Sequence, residues 1–329
     1  MHRSRLCSAL ALGLSLSLAV STMASVAVAA EADELAPPPA PLQALALAPF
    51  ERAIAGLSGE RIDELDDLVV EATFAELSSA MDAGATSSVE LTAYYLWRIA
   101  EFDVDGYRSM LELNPEALAI AVELDEERAR GQVRGPLHGI PLSLKGNIGT
   151  ADEMHTNAGS PAIADLVTDR DAPVAEALRA AGAVLIGKAN LSEWAGWIHL
   201  AMPGFSVLGG MPVNPLDPSF PVLGSSSGSA VGTSANLVAA SIGTETAGSL
   251  IAPSAVNGVV GMKPSLGLVS RTAVVPLTDQ TDSPGPIART VTDAATLLTI
   301  IAGEDPDAVS YTHLTLPTIR RGCCSGGGG

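Results

Sequence analysis

Cysteine and lysine are nearly missing from this 329-residue chain, which has three of each. Cys7 lies in the first thirty residues, and Cys323 and Cys324 lie in the last twenty. The body between them therefore needs no disulfide and offers no thiol nucleophile or cysteine metal site. Positive charge is scarce as a whole, with 18 Lys+Arg against 37 Asp+Glu, for a formal charge of −19. A binder of phosphate backbones needs clustered Lys and Arg, so nucleic acid is not an expected partner. Charged residues make up only 17% and hydrophobic ones 47%, which is too apolar for a disordered chain.

Both ends differ from the rest. Residues 1–30 have the layout of a secretory signal: basic His2, Arg3 and Arg5, an apolar run from Leu6 to Val20, and the A-x-A site Ala27-Val28-Ala29 before Glu31. Interspersed Ser15, Ser17 and Ser21 make that run too weakly apolar for an uncleaved anchor. Cleavage and export to the periplasm or beyond are expected, with no stable membrane anchor afterwards. Cys7 lacks the small-residue context of a lipidation site.

At the other end, residues 310–329 show no helical or strand period and close on four glycines. Their opening, Ser310-Tyr-Thr-His-Leu-Thr-Leu-Pro-Thr318, resembles translated adapter text from sequencing libraries. The expectation is a non-native tail on a domain cut short near Val309. Arg3, Arg5, Arg320 and Arg321 all fall in the ends, so residues 31–309 keep all 37 acids against 14 bases, a formal charge of −23. Of five histidines, that stretch retains His138, His155 and His199.

Residues 31–49, rich in Pro and Ala, read as an extended linker before a domain over 50–309. A helix is expected from Thr86 to Phe102, with Ser87 and Glu90 at capping-box spacing. Another is expected from Asn114 to Arg130, stopped by Gly131. Leu137–Leu144 reads as a short strand, 171–181 as a helix, and Ala183–Ile186 as a strand. Helix-to-strand alternation returns near 229–242 and 251–262, and a last helix runs from Thr290 to Ala302. The fold class is α/β: a mixed β-sheet covered by helices. No internal repeat is present.

Two small-residue loops stand out, Gly224-Ser225-Ser226-Ser227-Gly228-Ser229 and Gly243-Thr244-Glu245-Thr246-Ala247-Gly248-Ser249. Their backbones can approach a ligand closely, although a plain flexible linker has the same composition. A phosphate cradle would need Lys where Ser249 stands, which excludes it. A G-x-S-x-G elbow with Ser226 as nucleophile needs a later histidine, and only His313 in the tail follows. A third reading pairs serine with Lys145, at the end of the apolar run Gly139–Leu144. Such a lysine is often a snorkelling edge residue, yet burial lowers an amine's pKa and makes it a competent base.

Five segments together resemble the amidase signature family, and within it the peptide amidases. They are Gly135–Lys145 (GPLHGIPLSLK), Gly187–Trp194 (GKANLSEW), Gly224–Ser229, Gly243–Ser249 and Val256–Pro264 (VNGVVGMKP). The resemblance covers about Phe74 to Ala302. It implies an amidase-signature fold whose C-terminal part is missing here, and a Ser-Ser-Lys triad. Ser249 matches the acyl-forming nucleophile, Ser225 a bridging serine held by a cis peptide bond, and Lys145 the general base. Backbone N–H groups of Thr246, Ala247, Gly248 and Ser249 would form the oxyanion hole. No metal or cofactor is implied. Leu223, Gly146 and Ala247 depart from the family pattern, and Gly146 is expected to alter the setting of Lys145.

The expected function is hydrolysis of linear carboxamides by an exported enzyme, with C-terminal peptide amides as substrates. The alternatives are an inactive amidase fragment and an exported binding protein with this fold.

Overall fold

The computed structural model describes residues 40–197 and 202–305. The signal-like segment, His199 and the 310–329 tail lie outside the described residues. Residues 40–49, the described end of the Pro/Ala stretch, run against the domain. Leu42 and Gln43 donate their N–H groups to the Val207 and Leu208 carbonyls, and Leu45 and Leu47 pack on the core.

The amino-terminal helices are α1 (Glu51–Ala55), α2 (Gly59–Val69), α3 (Phe74–Asp82) and α4 (Ser88–Arg98). Polar caps start three of them: the side chains of Ser58, Thr73 and Ser87 accept the N–H three residues on. The complete capping box belongs to Thr73 and Glu76. Ser87 makes its half of the expected box, but the Glu90 carboxylate is taken by Arg61 at 2.6 Å and 2.7 Å. Instead of one helix to Phe102, α4 widens at Ile99 into a π-helical segment, Ile99–Tyr107, that ends on left-handed Arg108.

Six strands form one sheet: β1 (Met110–Leu113), β2 (Pro141–Lys145), β3 (Val184–Ala189), β4 (Ala240–Glu245), β5 (Val260–Gly261) and β6 (Ser283–Ala288). Their order is β1-β3-β2-β4-β6-β5. β3, β2 and β4 are parallel, while β1, β6 and β5 join antiparallel. The parallel strands are buried along their whole lengths. Burial on both faces is why β2 and β3 appear in the sequence as short apolar runs rather than alternating ones, while β4 buries Ser241, Thr244 and Glu245 as well.

The remaining helices are α5 (Ala117–Ala129), α6 (Pro173–Ala180), α7 (Ser227–Ser234), α8 (Ile251–Val256) and α9 (Val291–Ile301). α5 begins three residues later than expected, because Asn114 turns its side chain to the Glu116 N–H. β2 starts only at Pro141, because residues 135–140 form turns closed by His138 and Ile140 N–H groups. α7 is buried from Ser227 to Thr233, which its small residues allow. A Cβ on Gly228 would meet the Ser109 carbonyl at 2.2 Å and Asn190 backbone at 2.5 Å, so only glycine fits there.

Parallel β2 and β4 end side by side, with Leu144 opposite Ile242. Crevices beyond the carboxyl ends of parallel strands are where α/β sheets bind ligands. Lys145 and Thr244 stand at that edge.

Candidate active site

Lys145 ends β2 and is fully buried. Its Nζ meets three oxygens: Ser225 Oγ at 2.7 Å, Thr244 Oγ1 at 2.9 Å and the Thr244 carbonyl at 3.3 Å. Burial lowers its pKa from 10.5 to about 7, against the opposing pull of the Asp282 and Glu245 carboxylates. Near neutral pH, a large share of Lys145 is therefore the neutral amine.

Ser225 lies in the loop before α7, 3% exposed, and the Gly224–Ser225 peptide bond is cis. Leu223, where the family pattern has a small residue, takes a left-handed φ of 52°, a conformation that explains the preference for glycine there. Ser226 ties this loop to β4 and to the second serine. Its N–H donates to the Ser249 carbonyl, its Oγ donates to the Thr244 carbonyl, and the Thr244 N–H returns to that Oγ. Ser226 is thus a clamp, not an elbow nucleophile.

Ser249 follows β4 in a loop pinned by two acids. The Glu245 carboxylate accepts the Leu250 and Ile251 N–H groups at 2.8 Å and 3.0 Å. Burial alone would raise its pKa, but these bonds and one from the Gly248 N–H hold it below the usual carboxylate value. Gly248, one of the four oxyanion candidates, therefore also serves Glu245. The Thr246 hydroxyl donates to Asp282 at 2.5 Å. Lys263 Nζ donates to the Glu245, Thr246 and Thr281 carbonyls, bracing the same turn.

A cavity of about 450 Å³ opens on this loop pair, lined among others by Ser192, Trp197, Ser225, Thr246, Ala247 and Ser249. A second cavity of about 250 Å³ shares Thr246 and Leu277 with it and reaches Asn147, Arg271 and Asp282. Three segments distant in sequence thus converge: β2 with Lys145, the loop before α7 with Ser225, and the loop after β4 with Ser249. Among the described residues, no group of three or more His, Cys, Asp or Glu is placed to hold a metal. No helix there is long and apolar enough to cross a membrane.

Other singled-out residues have structural duties. Lys188 is buried and donates to the Ile148 carbonyl at 2.6 Å. Glu193 accepts the Val207 N–H. His138 is packed with its Nε2 against the Leu124 carbonyl. Gly146 is closely packed: a Cβ would meet Leu111 Cδ1 at 2.8 Å and the Ala189 carbonyl at 3.3 Å, so a larger residue needs the Leu111 side chain to move. Sequence reasoning assigned no role to Thr244, which gives Lys145 two of its three partners, or to Asn147, whose Nδ2 donates to Thr244 Oγ1 at 3.1 Å. Thr244 lies within the Gly243–Ser249 segment, but a threonine on a strand reads as packing.

A buried amine in contact with one serine, beside a loop that carries a second, defines a class of site equipped for acyl transfer through a serine nucleophile. The chain belongs to the amidase family, whose pattern residues 90–320 match. A peptide amidase from Stenotrophomonas maltophilia has a similar structure: TM-score 0.72 and 48% identity, covering 74% of this chain and 50% of that one. A Schizosaccharomyces pombe protein named as an amidase is 45% identical over 254 residues, 77% of this chain and 43% of its own length. A glutamyl-tRNA(Gln) amidotransferase component from Thermosynechococcus vestitus is 39% identical over 231 residues, 70% of this chain and 47% of its own. The chain spans about half the length of the curated relatives it matches.

Proposed function

We propose that this chain is an exported amidohydrolase that cleaves linear carboxamides, C-terminal peptide amides foremost. The observation that carries the reading is the 2.7 Å contact between buried Lys145 Nζ and Ser225 Oγ, with Ser225 and Ser249 lining one cavity. Neutral Lys145 takes the Ser225 hydroxyl proton, and Ser225 takes that of Ser249 as Ser249 Oγ attacks the amide carbonyl. Backbone N–H groups of Thr246, Ala247, Gly248 and Ser249 receive the oxyanion; losing one such donor typically slows an enzyme about 10²–10³-fold. The protons return along the same chain to the departing ammonia, and water then releases the acid from Ser249.

Likeness to a peptide amidase supports the substrate class, and the residue 1–30 pattern supports export. A nucleic-acid partner of the kind named for the amidotransferase relative suits an exported domain of −23 poorly.

The test is ammonia release from an N-acylated dipeptide amide by the purified chain, alongside fluorophosphonate labelling. Release with labelling at Ser249 is expected. A second reading is this fold without turnover. Labelling with no release from any amide would establish it.

A further inference from the structure

The three oxygens around Lys145 leave one choice open, and a residue outside the triad decides it. A neutral amine has two N–H groups and one lone pair. The Thr244 carbonyl carries no hydrogen and takes one N–H. The lone pair must then accept from one of two hydroxyls, Ser225 at 2.7 Å or Thr244 at 2.9 Å. Only donation by Ser225 couples Lys145 to a hydroxyl in the cavity that Ser249 also lines. Donation by Thr244 would occupy the base and leave the relay without an acceptor.

What fixes the Thr244 hydroxyl is therefore decisive, and the Asn147 carboxamide is beside it. The turn that follows β2, closed by the Ile148 N–H on the Lys145 carbonyl, places Asn147 behind the lysine. The Val275 N–H holds the Asn147 carbonyl at 2.9 Å. Asn147 is 2% exposed and lines the smaller cavity. Its Nδ2 is 3.1 Å from Thr244 Oγ1, while its Oδ1 is buried with no partner. A half-turn of the carboxamide exchanges the two ends at no cost in shape. Oδ1 then faces Thr244 and accepts its hydroxyl hydrogen.

We propose that Asn147, in this turned form, is a positioning residue: it takes the Thr244 hydroxyl hydrogen and leaves Ser225 as the only hydroxyl able to donate to Lys145. The proposal rests on the reading of Lys145 as the base. The charged groups that act on Lys145 are Asp282, before β6, and Glu245, at the end of β4, with Lys263 3.9 Å from Glu245.

Two variants of the full chain separate the possibilities. Asn147→Leu removes both ends of the amide, and kcat for amide hydrolysis should fall about 10²-fold with KM little changed. Asn147→Asp keeps the shape and can only accept. It should retain most of the wild-type kcat, with the acidic limb of the pH profile moved to higher pH by the new carboxylate near Lys145. Equal losses in both variants at every pH would mean that Asn147 acts as a donor, and would overturn the proposal. So would an unchanged Asn147→Leu enzyme. Thermal unfolding of each variant shows whether a loss is one of folding. If the wild-type chain labels with fluorophosphonate but does not turn over, the hydrolase reading fails, and the labelling rates of the same variants still decide the role of Asn147. A wild type that neither labels nor turns over overturns both.

Discussion

Lys145 Nζ lies 2.7 Å from Ser225 Oγ, and neither residue is more than 3% exposed. A lysine in that setting is a base near neutral pH and a burden on the fold at low pH, and both consequences can be measured.

The first concerns protons. Burial sets the folded pKa of Lys145 near 7, against 10.5 in the unfolded chain. Amide hydrolysis should therefore rise with pH along an acidic limb centred near 7. Between 7 and 10.5 the unfolded chain binds the proton that the folded one has lost, so this residue makes stability increase with pH across that window. Lys145→Met should abolish turnover yet unfold at higher urea than wild type at pH 6, by on the order of a few kcal/mol. The gap should narrow toward pH 10. A Met variant less stable than wild type at pH 6 would contradict the account.

Lys188 offers the control. Burial lowers its pKa to about 8, but its Nζ is bonded to the Ile148 carbonyl and, at 3.4 Å, to the Thr156 hydroxyl, not to a serine in the cavity. At pH 9, where it is mostly neutral, Lys188→Met should cost about 1–3 kcal/mol by orphaning the carbonyl. The acidic limb near pH 7 should persist in the remaining activity. Loss of that limb would move the titrating base from Lys145 to Lys188.

Arg289 holds the fold without touching the site. Its guanidinium donates to the Thr233, Val238 and Ala72 carbonyls at 3.2 Å, 3.1 Å and 3.0 Å. Arg289→Ala strands these acceptors and should lower stability by about 2–4 kcal/mol in denaturant titrations. The kcat at 25 °C should stay within a few-fold of wild type. A large kcat loss in a folded variant would show that these contacts matter to chemistry.

The parts of the fold legible in the sequence were those with one dominant local signal. Apolar runs marked β2 and β3, helix-to-strand alternation near 229–242 pointed only roughly to β4, and Gly182 marked the turn between α6 and β3. Strand β6 was hidden by Pro284 and Pro286, which argue against a sheet interior. The Pro286 carbonyl accepts the Met262 N–H, so the missing N–H groups of both prolines fall on the β5 side. Pairing with β4 through Ser283, Gly285 and Ile287 is intact. Helices α1 to α3 gave no motif and passed unread. At the site, Ser225 and Ser249 were proposed through motif resemblance alone, because no spacing rule links residues 145, 225 and 249, whereas Lys145 already stood out as a lysine at the end of an apolar run. Thr244 and Asn147 escaped because their roles are set by hydrogen bonds across strands and turns, which the sequence does not display.

The central claim is that Ser249 is the nucleophile and that Lys145 activates it through Ser225. The most direct measurement is peptide mapping by mass spectrometry after fluorophosphonate treatment at pH 8 of wild type, Ser249→Ala and Lys145→Met. The account predicts a single adduct on Ser249 in the wild type, none in Ser249→Ala, and labelling slowed by about 10² or more in Lys145→Met. An adduct on Ser225 or Ser226, or equal labelling without the lysine, would contradict it.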